Sequence, residues 1–270
     1  MVLPADARGR LWSLDRERLI RIASGAPHPA FMEFGTVIAI DMGVPNRWGV
    51  QLSAGAEVPD WADATRAGLW ASDQARDQWV VDVPVALLDV GAWKGLTEYE
   101  RMGLYATTSD VAAGLPTPDI ADLVLTTSPT YEQVLAGYGG WMDDFELAEL
   151  LVTPDDLADP DRTFLVGFVN GEPIGCAFVW TIADTRYLSG IGVVEARRGR
   201  GYGLALTTAA AHCATTLPSG APASLVWMHA TSEGAALYSR MGFELVDTEV
   251  QLGMPEQVAD RHPVVERTAG

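Results

Sequence analysis

The sequence predicts an α/β (α+β) protein, with a mixed central sheet in its C-terminal half preceded by a smaller related α/β unit. Three observations carry this prediction. The apolar runs Phe164-Leu165-Val166-Gly167-Phe168-Val169 and Ile174-Gly175-Cys176-Ala177-Phe178-Val179-Trp180 flank Asn170-Gly171, the pair whose readiness for positive φ suits a two-residue hairpin turn. Beyond the hairpin, strand-like and helical patterns alternate to the end of the pattern near Leu252. With 270 residues, 48% apolar and 20% charged, the chain can bury a sizeable core and fits one large domain or two small ones.

Taken in order, the first unit reads as a helix at 15–23, strands at 36–41 and 47–53, a helix at 60–76 and a strand at 78–83. A helical region then leads toward Arg101, followed by a strand at 104–108. Residues 109–118, rich in Ala, Gly, Pro, Thr and Asp, read as a connection. The division is drawn near 115, giving units 1–115 and 116–270. The second unit reads as a strand at 122–127, helical pieces over 130–151, the hairpin 162–169 and 173–182, and a strand at 187–194. A helix at 201–217, a strand at 224–229, a helix at 232–240 and a strand at 243–252 complete it.

One internal echo links the halves. Tyr99-Glu100-Arg101-Met102-Gly103-Leu104 resembles Tyr238-Ser239-Arg240-Met241-Gly242-Phe243, and both are read as a helix running into a strand. The same offset sets residues 49–53 opposite 188–192, and Ala54-Gly55-Ala56-Glu57-Val58-Pro59 opposite the glycine-rich turn described below. The echo reads equally as a degenerate repeat or as a common helix-to-strand ending.

Charge and composition exclude several classes. Asp plus Glu number 36 against 18 Lys plus Arg, a formal net charge of −18, whereas nucleic-acid binding calls for a basic stripe to meet phosphates. An acidic field attracts cations, among them protonated amines. Lys94 is the sole lysine, in a context without the glycines of a Walker A loop, so Schiff-base and P-loop chemistry have no other residue to use. Two cysteines, Cys176 and Cys213, make no disulfide framework. Four scattered histidines without a CxxC or HExxH pattern predict no metal site. The N-terminus has no basic-then-apolar leader pattern and no segment reads as a membrane span, so a cytoplasmic protein without membrane contacts is expected.

The segment richest in chemistry is Val193-Val194-Glu195-Ala196-Arg197-Arg198-Gly199-Arg200-Gly201-Tyr202-Gly203. A strand ends in a turn with alternate glycines and enters a helix, so unpaired N–H groups converge where an anion can dock. Clustering Arg197, Arg198 and Arg200 there, in so acidic a chain, points to an anion such as a pyrophosphate. A Rossmann dinucleotide site competes, but its third glycine falls at Leu204, and the preceding strands read as antiparallel rather than as the opening of a βαβ unit.

Arg198-Gly199-Arg200-Gly201-Tyr202-Gly203 resembles the (Q/R)xxGx(G/A) signature of the GNAT superfamily of acyl-CoA-dependent N-acetyltransferases. Leu237-Tyr238-Ser239-Arg240-Met241-Gly242-Phe243 is similar to the family's later LYxxxGF element. The resemblance covers roughly 123–252, and the first unit resembles the degenerate half-domains found ahead of some catalytic GNAT domains. It implies a mixed central sheet of the GNAT type whose two parallel strands, here 187–194 and 224–229, splay apart. It further implies that Arg198, Gly199, Arg200, Gly201, Tyr202 and Gly203 hold the pyrophosphate of acetyl-CoA as cosubstrate, that Ile191 and Val193 bond its pantetheine arm, and that Tyr238 gives a proton to the departing thiolate. A phenol, with a pKa near 10, is protonated at neutral pH and suited to that task. Where the family often has Asn, this chain has Thr231, followed by Ser232. Either can cap the next helix or touch the pantetheine.

An alkyl amine is almost wholly protonated at pH 7 and must lose a proton before it attacks. His229, at the end of a strand flanking the acyl group, is the first candidate base, and Glu233 the next; each also has an ordinary structural reading. The run Asp143, Asp144, Glu146, Glu149, Asp155, Asp156, Asp159 and Asp161 lies where the resemblance puts the acceptor, but reads chiefly as a solvated acidic face. Gly139-Gly140-Trp141-Met142 supplies a candidate apolar wall. Seven of the nine tryptophans lie before residue 142, so the first unit is expected to pack aromatic surface on its neighbour or on another subunit. The expected activity is transfer of an acetyl group from acetyl-CoA to a primary amine of a small molecule or peptide, by direct attack. The alternative is a catalytically silent CoA-binding sensor or scaffold. A homodimer is one assembly compatible with the sequence.

Overall fold

The computed structural model describes residues 3–25, 31–41, 47–53, 60–74, 80–88, 93 and 95–253. In chain order the elements are helix α1 (Ala7–Gly25), strands β1 (Phe31–Glu33), β2 (Val37–Asp41) and β3 (Arg47–Leu52), helix α2 (Trp61–Gln74) and strand β4 (Val80–Pro84). Strand β5 (Thr97–Thr108), helix α3 (Ser109–Ala113), strand β6 (Leu123–Thr126) and helices α4 (Tyr131–Met142), α5 (Phe145–Leu151) and α6 (Pro154–Ala158) follow. The rest comprises β7 (Arg162–Val169), β8 (Glu172–Ile182), β9 (Thr185–Val193), α7 (Tyr202–Cys213), β10 (Leu225–Ala230), α8 (Ser232–Arg240) and β11 (Glu244–Gly253). Two compact units result, one built from residues 4–103 and 246–270 and the other from 1–3 and 104–245.

In the first unit the strand order is β1-β2-β3-β4-β11. Strands β1, β2 and β3 form an antiparallel meander, and β4 runs parallel to β3 after the α2 crossover. Strand β2 shows why the layers form. Its residues alternate, Val37 and Ala39 joining the core with Ala64 and Ala67 of α2, and Ile38 and Ile40 packing with Leu19 of α1. A strand with two apolar faces must be covered on both. Asp15, buried on α1, accepts from Arg18 and from Gln51 Nε2 at 3.0 Å, so its burial is compensated. Two tryptophans bond inside this unit, Trp93 donating to the Leu87 carbonyl and Trp12 to Asp247, whereas Trp61 is exposed.

The second unit has the order β5-β10-β9-β8-β7-β6. It repeats the plan of an antiparallel meander (β7, β8, β9), a helix (α7) and a strand (β10) parallel to the third. The hairpin is as the sequence predicts: Val169 pairs with Glu172, and Asn170 and Gly171 have φ of 53° and 81°. Leu165, Ala177 and Val179 face α7, while Phe164, Val166 and Cys176 face α4.

Several readings need correction. Of the helical region expected before Arg101, the residues from Thr97 on are strand, since β5 is one element of 12 residues, while Val85–Leu87 form a short 3-10 helix and 89–92 and 94 lie outside the described residues. Tyr99 to Leu104 therefore lies in a strand while Tyr238 to Arg240 lies in a helix, and the six-residue echo has no structural counterpart. A short segment adopts the state its tertiary neighbours select, and the aromatic and β-branched residues that follow, to Thr108, carry this one into a sheet. The offset nevertheless matches β3 with β9, both third strands of their meanders. Ala54 to Pro59 lies outside the described residues. Residues 109–113, read as connection, form helix α3, capped by Thr108 accepting from the Val111 amide. Among the described residues no helix is long and apolar enough to cross a membrane.

Candidate functional site

Strand β9 positions the site. Its pairing with β8 slips between Cys176 and Phe178, so that Gly190 and Ile191 stand opposite Ala177 alone. This is a β-bulge, which bends a strand and increases its twist. Gly190 has φ of 58°, and a Cβ there would lie 2.5 Å from the Phe178 ring, so the bulge needs glycine on two counts. On its other side β9 pairs with β10 from Arg186↔Val226 to Leu188↔Met228, although the strands continue to Val193 and Ala230. Beyond that point they separate, leaving backbone amides and carbonyls of both strands for a ligand.

The gap opens into a cavity of about 460 Å³, lined by β9 from Leu188 to Val193, the turn residues Arg197, Arg198 and Gly199, Tyr202, Gly203 and Thr207 of α7, residues 228–231, Glu233, Gly234, Leu237 and Tyr238 of α8, and Trp141 of α4. At one end, Gly199 and Gly201 have φ of 75° and 86°. Gly201 is the N-cap of α7 and supplies no side-chain cap, so the first amides of a 12-residue helix face outward with the positive end of its dipole. A Cβ on Gly199 would meet nothing within 4 Å, which leaves room for a bulky anion. Arg198 Nε donates to the Val193 carbonyl at 3.0 Å, bracing the turn, and Arg197 pairs with Glu172 at 3.4 Å.

At the other end stands Tyr238, 8% exposed. Gly234, one turn earlier, makes room for it, since a Cβ there would lie 2.6 Å from the ring. Burial pushes the phenol up to about 12, so it is a proton donor throughout the physiological range. His229 Nδ1 lies 3.4 Å from the Tyr187 hydroxyl oxygen. Trp227, 4.5 Å from Tyr187 between ring centroids, donates to Thr185 and fixes the neighbouring rings.

The structure brings together most of the residues singled out from sequence. Ile191, Val193, Arg198, Gly199, Tyr202, Gly203, His229, Thr231, Glu233 and Tyr238 line the cavity, whereas Arg200, Gly201 and Ser232 do not. Gly201 still sets the start of α7. The side chain of Tyr202 is buried among Val193 and Leu206, and its hydroxyl donates to Asp122 Oδ2 at 2.7 Å, so its backbone amide is the group offered to an anion. Thr231 occupies the N-cap of α8 without a side-chain capping bond. Neither Cys176 nor Cys213 lines the cavity, and burial raises both thiols, which leaves no thiolate for an acyl-enzyme. In the acidic run, Asp144 caps α5, and Asp156 and Asp159 pair with Arg162, in keeping with a structural role. The reading that the turn does not open a βαβ unit is corrected: β9, α7 and the parallel β10 form one. Leu204 in place of the third glycine remains the ground against a Rossmann site. The bulge at Gly190 and the part played by Trp141 at Gly192 were not legible, because each depends on which residues face each other across the sheet.

A mixed sheet with a bulged strand, a splayed parallel pair and a glycine-rich turn is the arrangement that the resemblance to the GNAT family implies. Residues 160–245 match the family model described as an acetyltransferase (GNAT) domain, and the chain thus carries a GNAT domain. Among solved structures, a GCN5-related N-acetyltransferase from Kribbella flavida is similar with a TM-score of 0.68 and 19% identity, over 94% of this chain and 97% of that one. A tandem GNAT protein from the clavulanic acid biosynthesis pathway is similar with a TM-score of 0.59 and 16% identity, over 94% and 96%. A GCN5-related N-acetyltransferase from Sphaerobacter thermophilus gives 0.57 and 18%, over 81% and 76%. No curated protein matches the sequence significantly.

Proposed function

We propose that the protein is an acetyl-CoA-dependent N-acetyltransferase that moves the acetyl group to a primary amine of a small molecule or peptide by direct attack. The observation that carries this reading is that a buried, protonated Tyr238 and an anion-accepting turn line the same cleft between splayed strands. The residues suit the cosubstrate. The open glycine turn with Arg198, Gly199, Tyr202 and Gly203 fits a pyrophosphate, with Arg200 and Gly201 shaping its rim, and the separated edge at Ile191 and Val193 fits an amide-bearing arm. Thr231 lies along the same arm, with Ser232 beside it. Acetyl-CoA would supply an activated thioester.

Tyr238 hydrogen-bonds the sulfur as negative charge grows there. A thiol with pKa near 8.5 is a stronger acid than this phenol, so the bond acts chiefly by stabilising charge in the transition state. His229 takes the proton of the amine. Its Nδ1 lies 3.4 Å from the Tyr187 hydroxyl oxygen, a contact that orients the ring. Glu233, exposed in the first turn of α8, is the second candidate. The first unit is proposed to be a degenerate GNAT-like half-domain without a CoA-binding turn, a reading supported by its parallel β3–α2–β4 crossover and by the tandem GNAT protein among the similar structures. A cytoplasmic location, no nucleic-acid partner and a homodimer to be tested by light scattering complete the reading.

Isothermal titration with acetyl-CoA and free CoA tests it. Micromolar binding abolished by Arg198→Ala/Arg200→Ala is expected, and no binding overturns the reading. A Tyr238→Phe variant that binds CoA and loses turnover supports the enzyme. A protein that binds CoA but acetylates no amine in a broad screen is the sensor instead.

A further inference from the structure

Helix α4 meets the sheet through glycines. A Cβ on Gly137 would stand 3.1 Å from the Gly175 carbonyl oxygen, and one on Gly140 would stand 3.2 Å from Val194 Cγ1. On the strand, a Cβ on Gly192 would lie 2.2 to 2.5 Å from three atoms of the Trp141 indole. Helix and strand therefore both give up side chains where they meet, and the indole lies across bare β9 backbone.

The indole cannot readily swing away. Tyr138 packs against it at 5.7 Å between ring centroids, and Phe178 packs edge-on to Tyr138 at 4.8 Å. Its free side faces the cavity that Tyr238 also lines. Gly192 lies between Ile191 and Val193, the positions assigned above to the pantetheine arm, with its α carbon turned to the α4 side. An acyl chain that turns from the thioester toward the α4 side of the cleft meets this ring, which lines the same cavity as Tyr238.

We propose that Trp141 is the specificity-determining side chain that restricts the acyl group to acetyl size by closing the α4 side of the cleft. This rests on the acyl-CoA reading above. Each added methylene must displace a ring held between Tyr138 and the Gly192 backbone, and in a shaped apolar pocket one methylene can change selectivity by tenfold or more. Replacing the indole by a methyl group removes the barrier and leaves apolar space that rewards a longer chain.

The test is calorimetric titration of the full chain with free CoA, acetyl-CoA and hexanoyl-CoA, for the wild type, Trp141→Ala and Trp141→Phe. It needs no knowledge of the acceptor. The wild type is expected to bind acetyl-CoA at least about tenfold more tightly than hexanoyl-CoA. Trp141→Ala is expected to reverse that order while holding free CoA within about threefold of the wild type, a shift far smaller than the tenfold steps of acyl selection. Trp141→Phe keeps a ring on Gly192 and is expected to fall between, and it carries the test if the alanine variant does not fold. Equal wild-type affinity for the two thioesters, or an unchanged order in a folded variant that still binds CoA, overturns the proposal alone. Loss of free CoA binding in the wild type overturns the acyl-CoA reading and this proposal with it.

Discussion

The Tyr202 hydroxyl donates to Asp122 Oδ2 at 2.7 Å and so ties the first residue of α7 to the segment entering β6. The glycine-rich turn is thereby held from behind, by a ring that is 3% exposed. The bond to the carboxylate, followed by burial, raises the phenol's pKa. Tyr202→Phe is expected to lose about 1 kcal/mol of stability and to weaken CoA several-fold while kcat stays near the wild-type value. Unfolding curves and a KM-against-kcat comparison would show it. A change confined to kcat would contradict the assignment of Tyr202 to the turn.

Tyr238→Phe is expected to lower kcat by about 10² to 10³, the usual range for losing one donor that stabilises charge in the transition state, with CoA affinity retained. The phenol's pKa of about 12 also predicts that kcat/KM rises with pH to a plateau and does not fall again below about pH 11. The same shift bears on stability. Burial raises the folded-state pKa above the unfolded value near 10, so the associated stability is fully present below pH 10 and is lost as pH rises through about 12. Cys176, raised by burial as well, adds to the alkaline loss. Chemical unfolding measured from pH 7 to 11 should be flat at first and fall at the top of that range.

A methyl group at Gly175 would stand 2.2 Å from the Gly192 carbonyl oxygen, and backbone on both sides has nowhere to move without opening the β8–β9 ladder. Gly175→Ala is therefore expected to cost about 3 kcal/mol, the upper part of the range for overpacking. At Gly171, φ of 81° with nothing near a Cβ, alanine meets conformational strain alone and is expected to cost about 1 kcal/mol. Comparable losses at the two positions would argue that β9 is less rigidly docked than described.

What the sequence revealed is what short-range chemistry determines. Asn170-Gly171 can be recognised as a turn because its φ requirement is local, and the Arg198 to Gly203 turn because strand, glycines and helix follow one another along the chain. Tyr99 to Leu104 misled because the same residue types suit a helix end or a strand, and only the partners of β5 decide. The bulge at Gly190 answers to Phe178 on another strand, and the bareness of Gly192 to Trp141 some 50 positions earlier. Trp141 was legible as an apolar wall but not as a residue lying on strand backbone, which follows from how α4 docks. The misjudged βαβ unit has the same origin. A strand with one antiparallel and one parallel neighbour reads from its hairpin side, where the signal is local, and not from its crossover side.

The second hairpin of the meander offers a gain in stability that the first has already realised. Ile182 pairs with Thr185 across the two-residue loop Ala183-Asp184, and Ala183 has φ of 50°. Two-residue loops whose first central residue has positive φ favour glycine there, because a Cβ in that region crowds the backbone. In the first hairpin the equivalent loop is Asn170-Gly171, whose residues tolerate positive φ. Relief of strain at Ala183 is worth about 1 to 2 kcal/mol, offset by the extra freedom glycine gives the unfolded chain, about 0.5 to 1 kcal/mol. Ala183→Gly is thus expected to stabilise the protein by about 0.5 kcal/mol, the difference between those two terms, without altering acetyl-CoA affinity, since the loop lies outside the residues lining the cavity. Denaturant midpoints of the two proteins, read at equal slope, measure it. A lower midpoint would mean that the turn relaxes out of the left-handed region in solution and that Ala183 carries no strain.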